Sequence, residues 1–206
     1  MILILIPCCK IKETGGISIY RPSEALTSIL SPAAYKRLMQ NRGELGVLLR
    51  LPPGPDLGFD IVDTQIEFMT AYQRYSGVIY QRSNLRELYP KAKGKRLAIV
   101  SALYGLLDAE DDIRNYCVEM NESLPNRQRL YTWWKQHGLG EILCEYVRNL
   151  SPDKTHDLLS GNYRKATDPW PRCIDSSQRT IYNYPYEGNG SNNHRGRDLE
   201  KLLYES

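Results

Sequence analysis

The chain has 206 residues, with 27 lysines and arginines against 24 aspartates and glutamates, for a formal charge of +3. That length suits one domain able to bury its own core, with no need of a disulfide or metal to hold it. At 41% apolar and 25% charged residues the composition excludes a disordered chain, and +3 is too mild to announce a nucleic-acid binder by bulk charge.

The chain opens on a continuous apolar run, Ile2–Ile6, closed by Pro7, which predicts a strand buried on both faces. The run is too short for a membrane span, and with neither a basic leader nor a small-residue cleavage site it is not expected to be a signal peptide. Ser31-Pro32 predicts a helix start, an N-cap followed by proline at the first helical position, with Tyr35, Leu38 and Met39 following at helical spacing. Pro52–Gly58 is a loop by composition. Asp63–Arg74 carries helical spacing. Leu97–Ser101 predicts a second buried strand, and Gln128–Asn149 a helical stretch interrupted by Gly138 and Gly140. Two weaker strands are expected at Thr155–Ser160 and Arg179–Tyr184. The chain from Asp168 to Gly196 is expected to be irregular around a short strand, and a last helix is expected from Arg197 to Tyr204. Strands alternating with helices argue for an α/β fold, a single compact domain with a mixed β-sheet flanked by helices.

The five cysteines, Cys8, Cys9, Cys117, Cys144 and Cys173, are odd in number and contain no C-x-x-C pair. This usage fits a reducing compartment, and the expected location is the cytoplasm. Cys8 and Cys9 stand at a strand end, where a nucleophile or thiol sensor is the sharper reading and simple burial the plainer one. His137, His156 and His194 are far apart and lack ligand spacing, so neither a metal nor a cofactor is expected.

Charge is more informative read locally. From Tyr72 to Arg96 there are seven basic residues against Glu87 alone, interleaved with Tyr72, Tyr75, Tyr80 and Tyr89. Cations neutralise phosphates and aromatic faces stack on bases, so the mixture suits a nucleotide or nucleic-acid surface. Asp108, Glu110, Asp111 and Asp112 follow at once, which would place carboxylates near a bound phosphate. Ser101, Tyr104 and Gly105 follow the second strand, where α/β folds gather functional groups. Asp111, Tyr116 and Glu119 complete the candidates from that segment.

These residues spell S-x-L-Y-G-x-L-x-x-x-D-x-x-x-x-Y-x-x-E-M, filled by Ser101, Leu103, Tyr104, Gly105, Leu107, Asp111, Tyr116, Glu119 and Met120. The segment resembles the central signature of the YaaA family, named for a bacterial peroxide-stress protein. Further pieces fall in the family's order. Ile2–Ile6 with Pro7 and Lys10 resembles its opening strand and S-P-A-K turn. Tyr75–Tyr80 resembles its G-x-V-Y segment, and Leu130, Tyr131 and Trp134 its L-Y-x-x-W. Ser160, Tyr163 and Lys165 match S-x-x-Y-x-K, and Arg195-Gly196 a late R-G pair. The chain departs from the pattern at Cys8-Cys9, which stand before the lysine in place of small residues, and at Val78, Asn162 and Asp108. The two cysteines move the opening turn toward the C-x-K of wider relatives associated with base modification.

The resemblance implies one YaaA-like domain over residues 1–206, with a positively charged cleft that binds nucleic acid and a role in limiting iron-driven oxidative damage. Wider relatives stand beside nucleobase-modification and thiopurine-type pathways. Two functions follow. The first is an enzyme cleaving or exchanging the N-glycosidic bond of a purine nucleoside monophosphate, whose oxocarbenium-like sugar needs a carboxylate. Asp111 and Glu119 are its candidate carboxylates, with Tyr104 as a third catalytic group. Lys10, Lys165 and Arg195 are candidates for phosphate, and Tyr116 and Tyr163 for the base. Cys9, Ser101, Gly105, Ser160 and His194 complete the substrate-binding set. The second function is a DNA-binding, stress-protective protein without turnover, the Arg74–Arg96 stretch tracking the backbone and Gly138–Gly140 a further phosphate contact. The expected partner is a nucleotide or nucleobase, with DNA as the alternative and no membrane.

Overall fold

A computed structural model describes residues 1–61, 63–184 and 189–204. Among these the strands, in chain order, are β1 (Ile2–Pro7), β2 (Phe68–Thr70), β3 (Lys95–Ser101), β4 (Gly105–Asp108), β5 (Asp112–Arg114), β6 (Lys154–Asp157) and β7 (Arg179–Ile181). The helices are α1 (Glu24–Ile29), α2 (Pro32–Leu48), α3 (Ala71–Arg74), α4 (Val78–Arg82), α5 (Leu85–Leu88), α6 (Leu130–Gln136), α7 (Leu139–Leu150), α8 (Gly161–Ala166) and α9 (Asn189–Tyr204).

The main sheet runs β4-β3-β1-β6-β7. Leu3 to Ile6 of β1 are fully buried, because β1 lies at the centre with both faces covered. β3 pairs parallel on one side, Ile4 opposite Leu97, and β6 pairs parallel on the other, Ile4 opposite His156. β7 adds parallel to β6, while β4 returns antiparallel along β3, with Ser101 opposite Gly105 and Ala98 opposite Asp108. The sheet is mixed and the fold is α/β, as expected. β2 and β5 form a separate antiparallel pair.

The helix start at Ser31-Pro32 is as expected, with the Ser31 hydroxyl accepting from the Ala34 amide at 3.2 Å and Pro32 opening α2. The predicted stretch Gln128–Asn149 breaks at Gly138 into α6 and α7. Helix α7 buries Leu139, Ile142, Leu143, Tyr146 and Val147, one face at i, i+3, i+4, i+7 and i+8. Gly140 does not interrupt it. Trp133 and Trp134 are both core residues.

Other expectations are corrected. Helical spacing in Asp63–Arg74 yields only the short α3, because Phe68–Thr70 is drawn out as β2 by pairing with β5. β6 begins one residue earlier than expected and ends at Asp157, and β7 stops at Ile181. The last helix starts at Asn189, eight residues before the expected start. Residues 185–188 of the expected irregular segment lie outside the described residues. Cys144 on α7 is joined to Cys173 in a disulfide across 5.7 Å between Cα atoms, so the cysteine set contains one bridge and three free thiols, Cys8, Cys9 and Cys117. The spacing gave no sign of this pair, since it is made by packing the segment before β7 against α7. Among the described residues no helix is long and apolar enough to cross a membrane.

Gly105 opens β4 with φ of +69°, and a Cβ there would stand 2.8 Å from the Trp134 ring. Trp134 is itself pinned by its indole N–H to the Ala102 carbonyl at 2.8 Å. This glycine is therefore needed for the turn and for the tryptophan's close approach, rather than to admit a ligand. Gly105→Ala is expected to lower stability by about 2–4 kcal/mol, from left-handed strain and overpacking together. A urea midpoint shifted by less than about 1 kcal/mol equivalent would contradict that account.

Candidate functional site

The chain leaves β1 toward β3 on one side and later returns to β6 on the other. Ligands of open α/β sheets settle at the carboxyl ends of strands beside such a reversal. Three segments emerge there: Cys8–Lys12 after β1, Ser101 at the end of β3 with Ala102–Tyr104 after it, and Leu158–Lys165 after β6.

The floor of this edge is a set of hydroxyls. Ser101 Oγ lies 2.8 Å from the Tyr116 hydroxyl and accepts from the Tyr75 hydroxyl at 3.3 Å, and the two tyrosines lie 2.6 Å apart. The Tyr104 amide also donates to Ser101 Oγ at 3.0 Å. Burial drives the Tyr75 and Tyr116 phenols well above their ordinary range, so both stay protonated. Beside them Cys8 Sγ lies 3.1 Å from the Tyr163 hydroxyl and accepts from the Ala102 amide at 3.3 Å, and Tyr80 donates to the Pro7 carbonyl at 3.0 Å. These contacts bind the ends of β1 and β3 and helix α8 into one surface.

Above the floor, Lys12 Nζ donates to the carbonyls of Cys9 and Lys10 at 2.9 and 3.2 Å. It stands 3.8 Å from the centre of the Tyr116 ring and 5.4 Å from that of Tyr75. Burial lowers its pKa from the ordinary lysine value, and Arg74 acts in the same direction, while the thiols of Cys8, Cys9 and Cys117 oppose the shift. Cys9 Sγ donates to the Ile11 carbonyl at 3.0 Å and accepts from the Gly77 amide at 3.2 Å. Burial first, and the adjacent Cys8 second, push this thiol up to about 12, which removes Cys9 as a resting thiolate nucleophile.

The rim is charged. Lys10 Nζ lies 3.2 Å from Glu119 Oε1, with side chains 61% and 44% exposed, so both groups remain reachable by a ligand. The hydrogen bond to Glu119 raises the Lys10 pKa. Lys165, exposed on α8, sits 5.2 Å over the Tyr131 ring, and the Tyr131 amide donates to the carbonyl of Met120, the residue after Glu119. Ser160 is half-buried at the start of α8, and its side chain does not cap that helix.

The edge thus brings together Lys10, Cys9, Ser101, Tyr116, Glu119, Ser160, Tyr163 and Lys165. Other candidates lie elsewhere. Tyr104 is fully buried, its hydroxyl donating to Asp56 Oδ2 at 2.5 Å and accepting from the Arg114 amide at 3.1 Å. Arg195 is buried, donating to the Leu158 carbonyl at 3.0 Å and to Ser191 and Asn192 at 2.6 and 3.1 Å, so it anchors α9 beneath β6. His194 is exposed on that helix. Gly138 packs under the Arg37 guanidinium.

Asp111 is not near Glu119. β4 carries the chain away from Ser101, and Asp108 stands opposite Ala98, three residues back along β3, or about 10 Å. Asp111 lies past that point, buried, accepting from the Asp108 amide at 2.8 Å. It lines a cleft of about 710 Å³ at the amino edge of the sheet, with Arg21, Ser23, Arg96 and Glu110. The acidic run accordingly meets the basic turn directly, Arg96 Nε donating to Asp108 Oδ2 at 2.7 Å, instead of flanking a phosphate. Among the described residues no cluster of three or more histidine, cysteine or acidic side chains is placed to hold a metal ion.

Lys12 was not among the residues expected at the site, and Tyr75 was expected only as one of the tyrosines interleaved with the Tyr72–Arg96 cations. Lys12 carried one visible signal, its place two residues past Lys10 beyond a buried strand.

A family model described as peroxide stress protein YaaA matches residues 55–191. A UPF0246 protein of Ruegeria sp. (strain TM1040) is 31% identical over 104 residues, which cover 46% of this chain and 41% of that relative. The match therefore spans well under two thirds of the relative's length.

Proposed function

Because this chain belongs to the peroxide stress protein YaaA family, we propose that its carboxyl-edge site is that of a nucleotide-handling enzyme, one that cleaves or exchanges the N-glycosidic bond of a purine nucleoside monophosphate. The observation that carries the reading is the Lys10–Glu119 pair on the rim of a tyrosine-lined floor. Lys10 and Lys165 take the phosphate, and binding it frees Glu119 from its ion pair. The released carboxylate then faces the sugar, where it stabilises the oxocarbenium-like carbon or activates the attacking water. Tyr163 and Tyr116 of the floor take the base. Asp111 has no part, since it opens on the other edge of the sheet.

The test is free base. The full chain is incubated with purine and pyrimidine nucleoside 5′-monophosphates, and released base is measured by chromatography. Release from a purine nucleotide is expected, with Glu119→Gln slower by about 100-fold or more and Lys10→Ala raising KM. No base from any nucleotide would end this reading.

One observation favours the alternative of DNA binding without turnover. Arg82, Arg86, Arg197 and Lys201 are exposed on α4, α5 and α9, and α9 packs on α4 through Gly196 against Arg82. That reading requires affinity for duplex DNA that falls steeply between about 50 and 200 mM salt. Salt-independent or absent binding removes it.

A further inference from the structure

Lys10 carries the ion pair of the rim from an exposed bend after β1. The carbonyls of Cys9 and Lys10 in that bend are taken up by one group, the Lys12 ammonium, at 2.9 and 3.2 Å. Among the described residues no other donor meets either of them. The same nitrogen stands 3.8 Å over the centre of the Tyr116 ring, whose face attracts its charge. A protonated lysine has three N–H bonds and no acceptor, so two carbonyls and an aromatic face are a full set of partners for it.

Both ends of this contact are fixed from elsewhere. The Ser76 amide donates to the Ile11 carbonyl at 3.1 Å, and the Glu13 amide to the Arg74 carbonyl at 2.8 Å, which holds the backbone on either side of Lys12. The fully buried Arg74 guanidinium grips the next residues, donating to the carbonyls of Glu13 and Gly15, both at 2.7 Å. Tyr116 is tied by its hydroxyl to Tyr75 and Ser101. It stands three residues before Glu119, so the contacts close into a ring. From the Lys10 backbone they run to the Lys12 ammonium, the Tyr116 face, the chain as far as Glu119, and back to Lys10 through the 3.2 Å pair. A pair as exposed as Lys10–Glu119 gains too little from its own attraction to hold two long side chains in one geometry. Its spacing has to come from the backbones that carry it.

We propose that Lys12 is a positioning residue of this site, its ammonium pegging the Lys10 turn to Tyr116 and so setting the distance between Lys10 and Glu119. The catalytic consequence rests on the glycosidase reading, in which Lys10 takes the phosphate and Glu119 faces the sugar. The peg itself does not rest on it.

Lysine-resolved NMR titration of the full chain reads the pair directly. Glu119 raises the Lys10 pKa, so Glu119→Gln supplies the unpaired value. In Lys12→Met the Lys10 titration is expected to move down toward that value. In Lys12→Arg, which keeps the carbonyl donors and the charge over the ring, it is expected to stay near the parent's. The sign is decisive, because deleting a nearby cation would by itself raise the Lys10 pKa. A Lys10 titration unchanged or raised in Lys12→Met overturns the peg and leaves the glycosidase intact. Base release gives a second reading, with kcat/KM expected to fall by about 100-fold in Lys12→Met and to stay within about tenfold in Lys12→Arg. On a Glu119→Gln background Lys12→Met is expected to add no further loss, and an additive loss overturns the proposal. Absence of base release from every nucleotide ends the glycosidase reading, while the Lys10 titration still decides the peg. Where Lys12→Met fails to fold, the parent decides: its Lys12 Cε protons are expected upfield under the Tyr116 ring, and unshifted protons overturn the proposal.

Discussion

Replacing Asp56 by alanine is expected to cost about 3–5 kcal/mol of stability, the range for stranding one partner of a buried ion pair. Asp56 is fully buried and Arg114 is 4% exposed. The carboxylate receives Arg114 through both oxygens, with Nε at 2.8 Å from Oδ2 and Nη2 on Oδ1. The Tyr104 hydroxyl also donates to Oδ2, and the remaining Arg114 nitrogen bonds the Pro52 carbonyl. Removing the carboxylate leaves a guanidinium and a phenol without an acceptor in a place water does not reach. The Pro52–Gly58 loop is tied to the fold by this cluster, together with Leu57, which is buried against Gly43 and Gly46 of α2. Asp56→Asn keeps an acceptor and is expected to lose less than Asp56→Ala. Urea unfolding at constant m checks the difference, and a loss under about 1 kcal/mol for the alanine variant would show that the pair is not what holds the loop.

Asp111→Asn is expected to act in the opposite direction at high pH. Burial, with help from the neighbouring Asp108, pushes the Asp111 carboxyl up to about 7, against the hydrogen bond from Ser23 and the charge of Arg42. An unfolded aspartate titrates near 3.9, so between about pH 4 and pH 7 the folded chain holds a proton that the unfolded chain has released. The unfolded state then binds fewer protons, and stability falls as pH rises through that window. The rise to about 7 corresponds to about 4 kcal/mol, lost by pH 8 and retained below pH 4. Asparagine cannot ionise, and its carbonyl still accepts from the Asp108 amide. The variant should therefore be more stable than the parent at pH 8, with a flatter profile from pH 4 to 7. Unfolding midpoints at pH 5 and pH 8 decide it, and a variant curve parallel to the parent's would rule out Asp111 as the source.

Much of the frame was legible because it rests on local pattern. Ile2–Ile6 and Leu97–Ser101 read as buried strands because covered faces leave no polar alternation, and Ser31-Pro32 read as a helix start because capping is decided within four residues. The site was legible in part for the same reason, since Lys10, Ser101 and Ser160 each follow a strand that the apolar runs reveal. What stayed hidden was set by distant packing. Asp111 and Glu119 are eight residues apart in one signature, yet β4, β5 and the turn between them leave them on opposite edges of the sheet. Tyr104 looked available because its partner Asp56 lies 48 residues away in a loop with no marking pattern. Lys10 and Lys12 are chemically identical in sequence. Only Tyr75 and Tyr116, brought in from remote segments, make one of them dry.

The sheet order also sets a timetable for synthesis. β1 is made before every other described strand of the sheet, and its second neighbour is the strand at Lys154–Asp157, with Ile2 opposite Lys154. At roughly 5–20 residues per second a ribosome needs about 8–30 seconds to travel between those two residues. For that interval the ILILI strand has at most one of its two edges paired, and an uncovered apolar edge is a template for other chains. Expression yield should therefore depend on how well the emerging segment is shielded, by chaperones or by slow initiation that keeps nascent copies apart, and much less on the stability of the finished fold.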